Sequence, residues 1–189
     1  MKVLFDYRIF YHQKNGGITR YILNLSKELN NINYSNQILA PIHINNMLKE
    51  FSTFFNNVDG MYIKNKPLFT GKILNFINYN FTKFLLNKIN PKVYHQTYYG
   101  TFPKSKKIIK VVTVHDLIHE KFFTDYGMSV DNRPKKESLE QADKIICVSN
   151  STKADLLNYY NVDERKIKII GHGHEHIIGL IDNNKIIDK

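Results

Sequence analysis

Short runs of aliphatic and β-branched residues alternate along this chain with segments whose apolar residues recur at helical spacing. Residues 2–5 form the first run, and a polar loop after it ends in Gly16-Gly17. Ile18, Tyr21, Ile22, Leu25 and Leu29 then fall on one helical face. Residues 37–40 predict a second strand closed by Pro41, and residues 58–63 a third, with a Phe-rich helical segment at 47–55 between them. The longest helical period runs over 70–90, carries Ile73, Phe76, Ile77, Phe81, Phe84, Leu85 and Ile89, and is stopped by Pro91. Strands are predicted at 92–95, 110–115, 144–148 and 166–170. Between the last two, Ser151 is placed to cap a helix bearing Leu156, Leu157 and Tyr160. This alternation predicts an α/β fold with a doubly wound, mostly parallel sheet and strand order 3-2-1-4-5-6-7.

The chain has 189 residues, enough for one ordinary core and too few for two full-sized domains. One cysteine, Cys147, excludes an internal disulfide framework and fits a reducing, cytoplasmic compartment. The opening MKVLFDYRIF reads as a first strand and not as a secretory leader, and no apolar run is long enough to span a bilayer. A net charge of +10 fits an acidic partner, but an overall bias toward Asn, Lys and Ile explains it equally as a solvated surface. No aromatic-basic motif of a nucleic-acid-binding module is present, and no nucleic acid is expected.

The most informative stretch is KVVTVHDLIHE, where the run Val111 to Val114 ends in His115-Asp116. Ligands of open parallel sheets sit at such carboxyl ends, where an imidazole and a carboxylate can bind hydroxyls or move protons. The alternative is that Asp116 caps a turn and His115 merely ends a strand. Gly16-Gly17 at a strand-to-helix turn lets backbone approach an anion, with Arg20 one turn on, though any tight turn can use two glycines. His95 ends its strand beside the same place and reads equally as site or structure; Tyr98 and Tyr99 follow it and can stack on a sugar or pack. His172, His174 and His176 with Glu175 are of zinc-ligating types, but they lack an evident scaffold and no metal site is expected. Cys147 reads as core. The 70–90 helix, with Lys72, Lys83 and Lys88 opposite its apolar stripe, can lie on an anionic membrane or cover the sheet; covering the sheet is preferred.

Together these segments resemble the amino-terminal domain of GT-B glycosyltransferases of family 4. FDYRIF…GGITRY is similar to that family's opening, VVTVHDLIHEKFF to its strand end, and ADKIICVSNSTKADLLNYYNVDERKIKIIGHG to its next block, all in order. The resemblance implies a Rossmann-like domain over residues 1–171, with 172–189 as a tail or truncated interdomain linker. It implies retaining sugar transfer from a nucleotide-sugar to a glycan or lipid-linked acceptor, with no cofactor and no metal. By that match His115 would be catalytic, and Gly16, Gly17, Arg20, Ser149 and Lys153 would bind donor or acceptor; from their own positions Asp116 joins His115 as a catalytic candidate and His95 joins the binding set.

The family's second domain, with its nucleotide pocket and Glu-x7-Glu motif, has no counterpart here, since no two glutamates have that spacing. A protein partner supplying that half is therefore expected; contact at the periphery of a membrane is the alternative role left open for the 70–90 helix. The alternatives are a non-catalytic glycan-binding or scaffold module, or a truncated remnant of such an enzyme.

Overall fold

The computed structural model describes residues 2–104, 108–123 and 131–173. The alternation becomes, in order, β1 (Val3–Phe5), α1 (Arg8–His12), α2 (Gly17–Asn31), β2 (Asn36–His43), α3 (Asn46–Phe51), β3 (Val58–Tyr62) and α4 (Gly71–Ile89). The second half continues with β4 (Val93–Gln96), β5 (Ile109–Val114), α5 (Arg133–Gln141), β6 (Lys144–Cys147), α6 (Asn150–Tyr159) and β7 (Ile167–Ile169). All seven strands are parallel in one sheet ordered β3-β2-β1-β4-β5-β6-β7, a Rossmann-like arrangement in the predicted order.

Alternation along β1 divides the core into two layers. Val3 and Phe5 enter one with Ile22 and Leu23 of α2 and Leu48 of α3. Leu4 enters the other with Leu86 of α4, Leu139 of α5 and Leu156 of α6. Each such buried side chain stabilises the fold by about 1.5–3 kcal/mol relative to exposure. Helices therefore cover both faces, which leaves the carboxyl edge of the sheet as its open rim.

Three local expectations need correction. The segment after β1, expected as loop, begins with the short helix α1, whose residues Arg8, Ile9, Phe10 and Tyr11 are buried. Strand β2 does not stop at Pro41 but runs to His43, with the register shifting between Ala40 and Ile42; proline tolerates such a bulge because it has no N–H to offer a ladder. The cap of α6 is Ser149, not Ser151, because the hydroxyl of Ser149 accepts the Thr152 N–H at 3.0 Å.

The largest correction concerns α4. Its inward side is Asn78, Thr82 and Leu86, while Ile73, Phe76, Ile77, Phe81 and Phe84 face solvent. Leu74, Tyr79, Leu85 and Ile89 pack partly on the core. The cause lies in the sheet. Strand β1 ends opposite Ile38, so beyond that point β2 has no neighbour on that side. Asn78 fills the gap, donating to the Ile42 carbonyl at 2.9 Å and accepting the Ile42 N–H at 2.8 Å. A buried backbone needing an amide partner outweighs the helix's own apolar period.

Replacing Asn78 by Leu, the residue that helical periodicity would favour inside, leaves both Ile42 groups unpaired. The variant is expected to lose about 2–4 kcal/mol of stability, read from denaturant unfolding. An unchanged midpoint would show that water replaces the amide without cost.

Candidate functional site

The rim at the carboxyl ends is set by one buried ion pair. Asp6, just after β1, accepts hydrogen bonds from the Arg8 guanidinium, the Tyr94 hydroxyl at 3.0 Å, and the Thr97 N–H and hydroxyl at 2.9 and 2.6 Å. Arg8 continues to the Thr101 carbonyl. The turn after β4 is thus tied to the turn after β1. Gly100, at φ 147°, lies against the Arg8 side chain, where a side chain of its own would be strained. Its backbone is gripped by Ser138 of α5, which accepts the Gly100 N–H at 2.8 Å and donates to its carbonyl at 3.0 Å.

These turns border a cavity of about 220 Å³. Its wall is made by Ile18 at the start of α2, Tyr98 and Tyr99 after β4, His115, Asp116 and His119 after β5, and Asp131, Asn132, Pro134 and Lys135 at the start of α5. The His115-Asp116 pair is therefore at a cleft. Asp116 is exposed, and one of its carboxylate oxygens accepts the Ile118 N–H at 3.2 Å, so it also caps a turn. Gly16 and Gly17 open α2 immediately before Ile18, leaving the N–H groups of the first helical turn at the cavity's side. Arg20 is exposed on that turn and forms no ion pair among the described residues.

Three rings meet at the tip of β5. His115 stacks on His172, with ring centres 5.4 Å apart and planes 9° apart. Tyr21 of α2 stands edge-on to both at 5.1 Å, and its hydroxyl reaches Thr113. Burial, helped by the like charge of His172, pushes the His115 imidazole down to about 4, with Asp116 opposing. His115 is thus neutral near pH 7 and able to donate one hydrogen bond and accept another.

The other predicted residues lie elsewhere. His95 is in the sheet interior, with its Nε2 at 2.9 Å from the Thr113 hydroxyl and its ring 5.4 Å from Phe5; burial pushes it to about 4. Ser149 caps α6, and Lys153 pairs with Glu164 at 2.6 Å; neither lines the cavity. Cys147 is buried, and desolvation pushes its thiol up to about 11, consistent with a core residue. Of the histidine run, only His172 is described; His174, Glu175 and His176, with the tail from 174 to 189, lie outside the described residues. Among the described residues no cluster of three metal-ligating side chains occurs.

Sequence reasoning missed the buried cation at the cavity wall. Lys135 pairs with Glu120 at 2.8 Å, its ammonium lies 5.0 Å from the centre of the Tyr99 ring, and Tyr160 donates to Glu120 at 2.6 Å. Burial would raise the Glu120 carboxyl, but Lys135 and Tyr160 together hold it below its usual range. A separation of fifteen positions hides this pairing from any local pattern. Tyr21 was visible only as one more apolar position of α2.

The family model described as Glycosyltransferase Family 4 matches residues 15–176. No curated protein sequence matches the chain. A solved structure, described as that of a glycosyltransferase from Rickettsia africae ESF-5, superposes with a TM-score of 0.55 at 19% sequence identity. The superposition covers 100% of this chain and 50% of that one, so the chain spans half the length of this structural neighbour.

The neutral histidines make the fold acid-sensitive. His43, His95 and His115 all sit at about 4 in the folded chain against 6.5 otherwise. Between those values the unfolded chain binds more protons, so stability rises with pH and is lost as pH falls from 6.5 toward 4. The depressed Glu120 acts in the same sense below the ordinary carboxylate range. Urea midpoints are expected to fall from neutral pH to about pH 4.5, with a shallower fall in His95→Asn. A flat profile over that window would contradict neutral burial.

Proposed function

The chain belongs to glycosyltransferase family 4, and on that premise we propose that its cleft holds the sugar end of a nucleotide-sugar during transfer to a hydroxyl of a glycan or lipid-linked acceptor. The observation that carries this reading is the pairing of neutral His115 with Asp116 on the cavity wall. An imidazole that exchanges one donor and one acceptor with sugar hydroxyls, beside a carboxylate that accepts two, is a common chemistry for holding a pyranose. Tyr98 and Tyr99 offer faces to its apolar side.

The anionic end of the donor fits the start of α2. Unpaired N–H groups at Gly17 and the following residues carry a partial positive charge, and Arg20 adds a full one. In the reaction, the bond from the anomeric carbon to the diphosphate oxygen breaks and a bond to the acceptor oxygen forms. The acceptor proton leaves with the departing diphosphate, whose growing charge is what Arg20 and the helix start would stabilise. In the reading we propose, the acceptor oxygen enters on the face from which the diphosphate leaves, so that the transfer is of the retaining, GT-B type and calls on neither cofactor nor metal.

The cavity's size supports a division of labour. At about 220 Å³ it falls below the roughly 300 Å³ at which sites for larger ligands begin, so it suits one sugar ring and not a whole donor. The nucleotide then needs a surface beyond this cavity, which fits a second domain contributed by a partner.

Calorimetric titration of the purified chain with a panel of nucleoside-diphosphate sugars and free sugars tests the reading. Weak donor binding is expected, reduced about tenfold or more in His115→Ala and in Arg20→Ala, the cost of one hydrogen bond to a polar or charged ligand group. Binding of free sugars alone would favour a glycan-binding module, and silence from folded protein would remove the donor site.

A further inference from the structure

The outward face of α4 is a feature that the cleft does not use. At about 100° per residue, Ile73, Ile77 and Phe84 form its centre, with Phe76 and Phe81 on either side. They are 61%, 42%, 59%, 68% and 47% exposed, diametrically opposite the buried Asn78, Thr82 and Leu86. Asn80 lies within this arc but returns its amide to the Phe76 carbonyl at 2.8 Å. The loop leading into the helix adds Leu68 and Phe69, at 85% and 99%. A contiguous aromatic and aliphatic stripe of this size on a water-facing helix calls for an occupant.

Charge decides which occupant. Lys72 and Lys83 flank the stripe on one side and Lys88 on the other, with the Lys88 ammonium 4.9 Å from the centre of the Phe84 ring. The helix contains no acidic residue. Indeed, the 56 residues from Gly60 to His115 contain ten lysines and no Asp or Glu, so the chain's net positive charge is concentrated on this part of the sequence. Apposing two copies of the stripe would bring the flanking lysines together, which disfavours self-association. Lysines whose stems cover apolar surface while their ammonium groups reach outward match a layer of anionic headgroups above hydrocarbon.

We propose that α4 and the Leu68-Phe69 loop form a docking surface for an anionic lipid bilayer, lying in the plane of the interface with the Phe/Ile stripe inserted and the lysines at headgroup level. No helix among the described residues is long and apolar enough to cross a membrane, so the attachment is peripheral. Asn78, bonded to Ile42, and Leu86, packed in the core, keep the opposite side of the helix fixed to the sheet, so insertion requires no unfolding. The Tyr11 hydroxyl donates to the Gly71 carbonyl, placing the beginning of the stripe at the cleft's own edge of the sheet. A lipid-linked acceptor would then meet the cleft without leaving the bilayer. That consequence rests on the transfer reading above; the docking does not, and its test uses no substrate.

Co-sedimentation of the full chain with vesicles provides the test. We expect binding to phosphatidylcholine vesicles containing about one third phosphatidylglycerol, and none to phosphatidylcholine alone. The double variant Phe76→Asn/Phe84→Asn, on the solvent face and hence with an unchanged circular dichroism spectrum, should reduce partitioning by about tenfold or more. Lys72→Glu/Lys83→Glu should weaken it similarly and flatten its salt dependence. Failure of the wild-type chain to sediment with anionic vesicles would overturn the proposal, as would binding indifferent to both variants. A dimer detected by light scattering, abolished by the Phe pair while vesicle binding persists, would assign the stripe to a second copy instead.

Discussion

The buried contact between Asp6 and Arg8 is the constraint around which this rim is built. A carboxylate fully removed from water is tolerable only if nearly every lone pair is engaged, and Asp6 engages the Arg8 guanidinium, the Tyr94 hydroxyl and both polar groups of Thr97. Meeting that demand fixes the turn after β1 against the turn after β4. Arg8 must in turn satisfy itself on the Thr101 carbonyl, and the resulting close approach leaves room at Gly100 for no side chain. Ser138 then holds Gly100 to α5, the helix that delivers Lys135 to the cavity wall. One desolvated pair therefore organises three segments that share no sequence proximity.

The cleft that results is electrically quiet. Its two buried ions, Lys135 and Glu120, cancel each other, and its strand-tip histidine is held uncharged by burial. Uncompensated charge is left to the margin, at Arg20 and Asp116, where solvent still reaches. Such a division suits a ligand with a neutral polyhydroxylated end and an anionic end, because each part meets its own environment.

The positions of most elements were legible because each depends on a local pattern: short apolar runs for β1 and β6, a β-branched run for β5, and a proline stop with Asn90 in left-handed conformation ending α4. The position of His115 at a strand tip was legible for the same reason. What escaped depended on partners far along the chain. The orientation of α4 was inverted because periodicity assumes that apolar residues face inward, whereas a gap beside β2 required an amide. Helix α1 was hidden by an arginine that looks like a loop residue until its partner Asp6 is seen buried beside it. His172 stood out in sequence only as one of a run of zinc-ligating types with no evident scaffold, and its contact is the ring of His115, 57 positions earlier.

That last contact gives the end of the sheet a mechanical part in the cleft. His172 follows β7 by only a few residues, and its ring covers one face of His115. The backbone just after β7 and the tip of β5 are therefore joined through the rings of His172 and His115, with Tyr21 edge-on to both. Because the His172 ring covers one face of His115, the position of the backbone just after β7 sets how much of that imidazole solvent can reach.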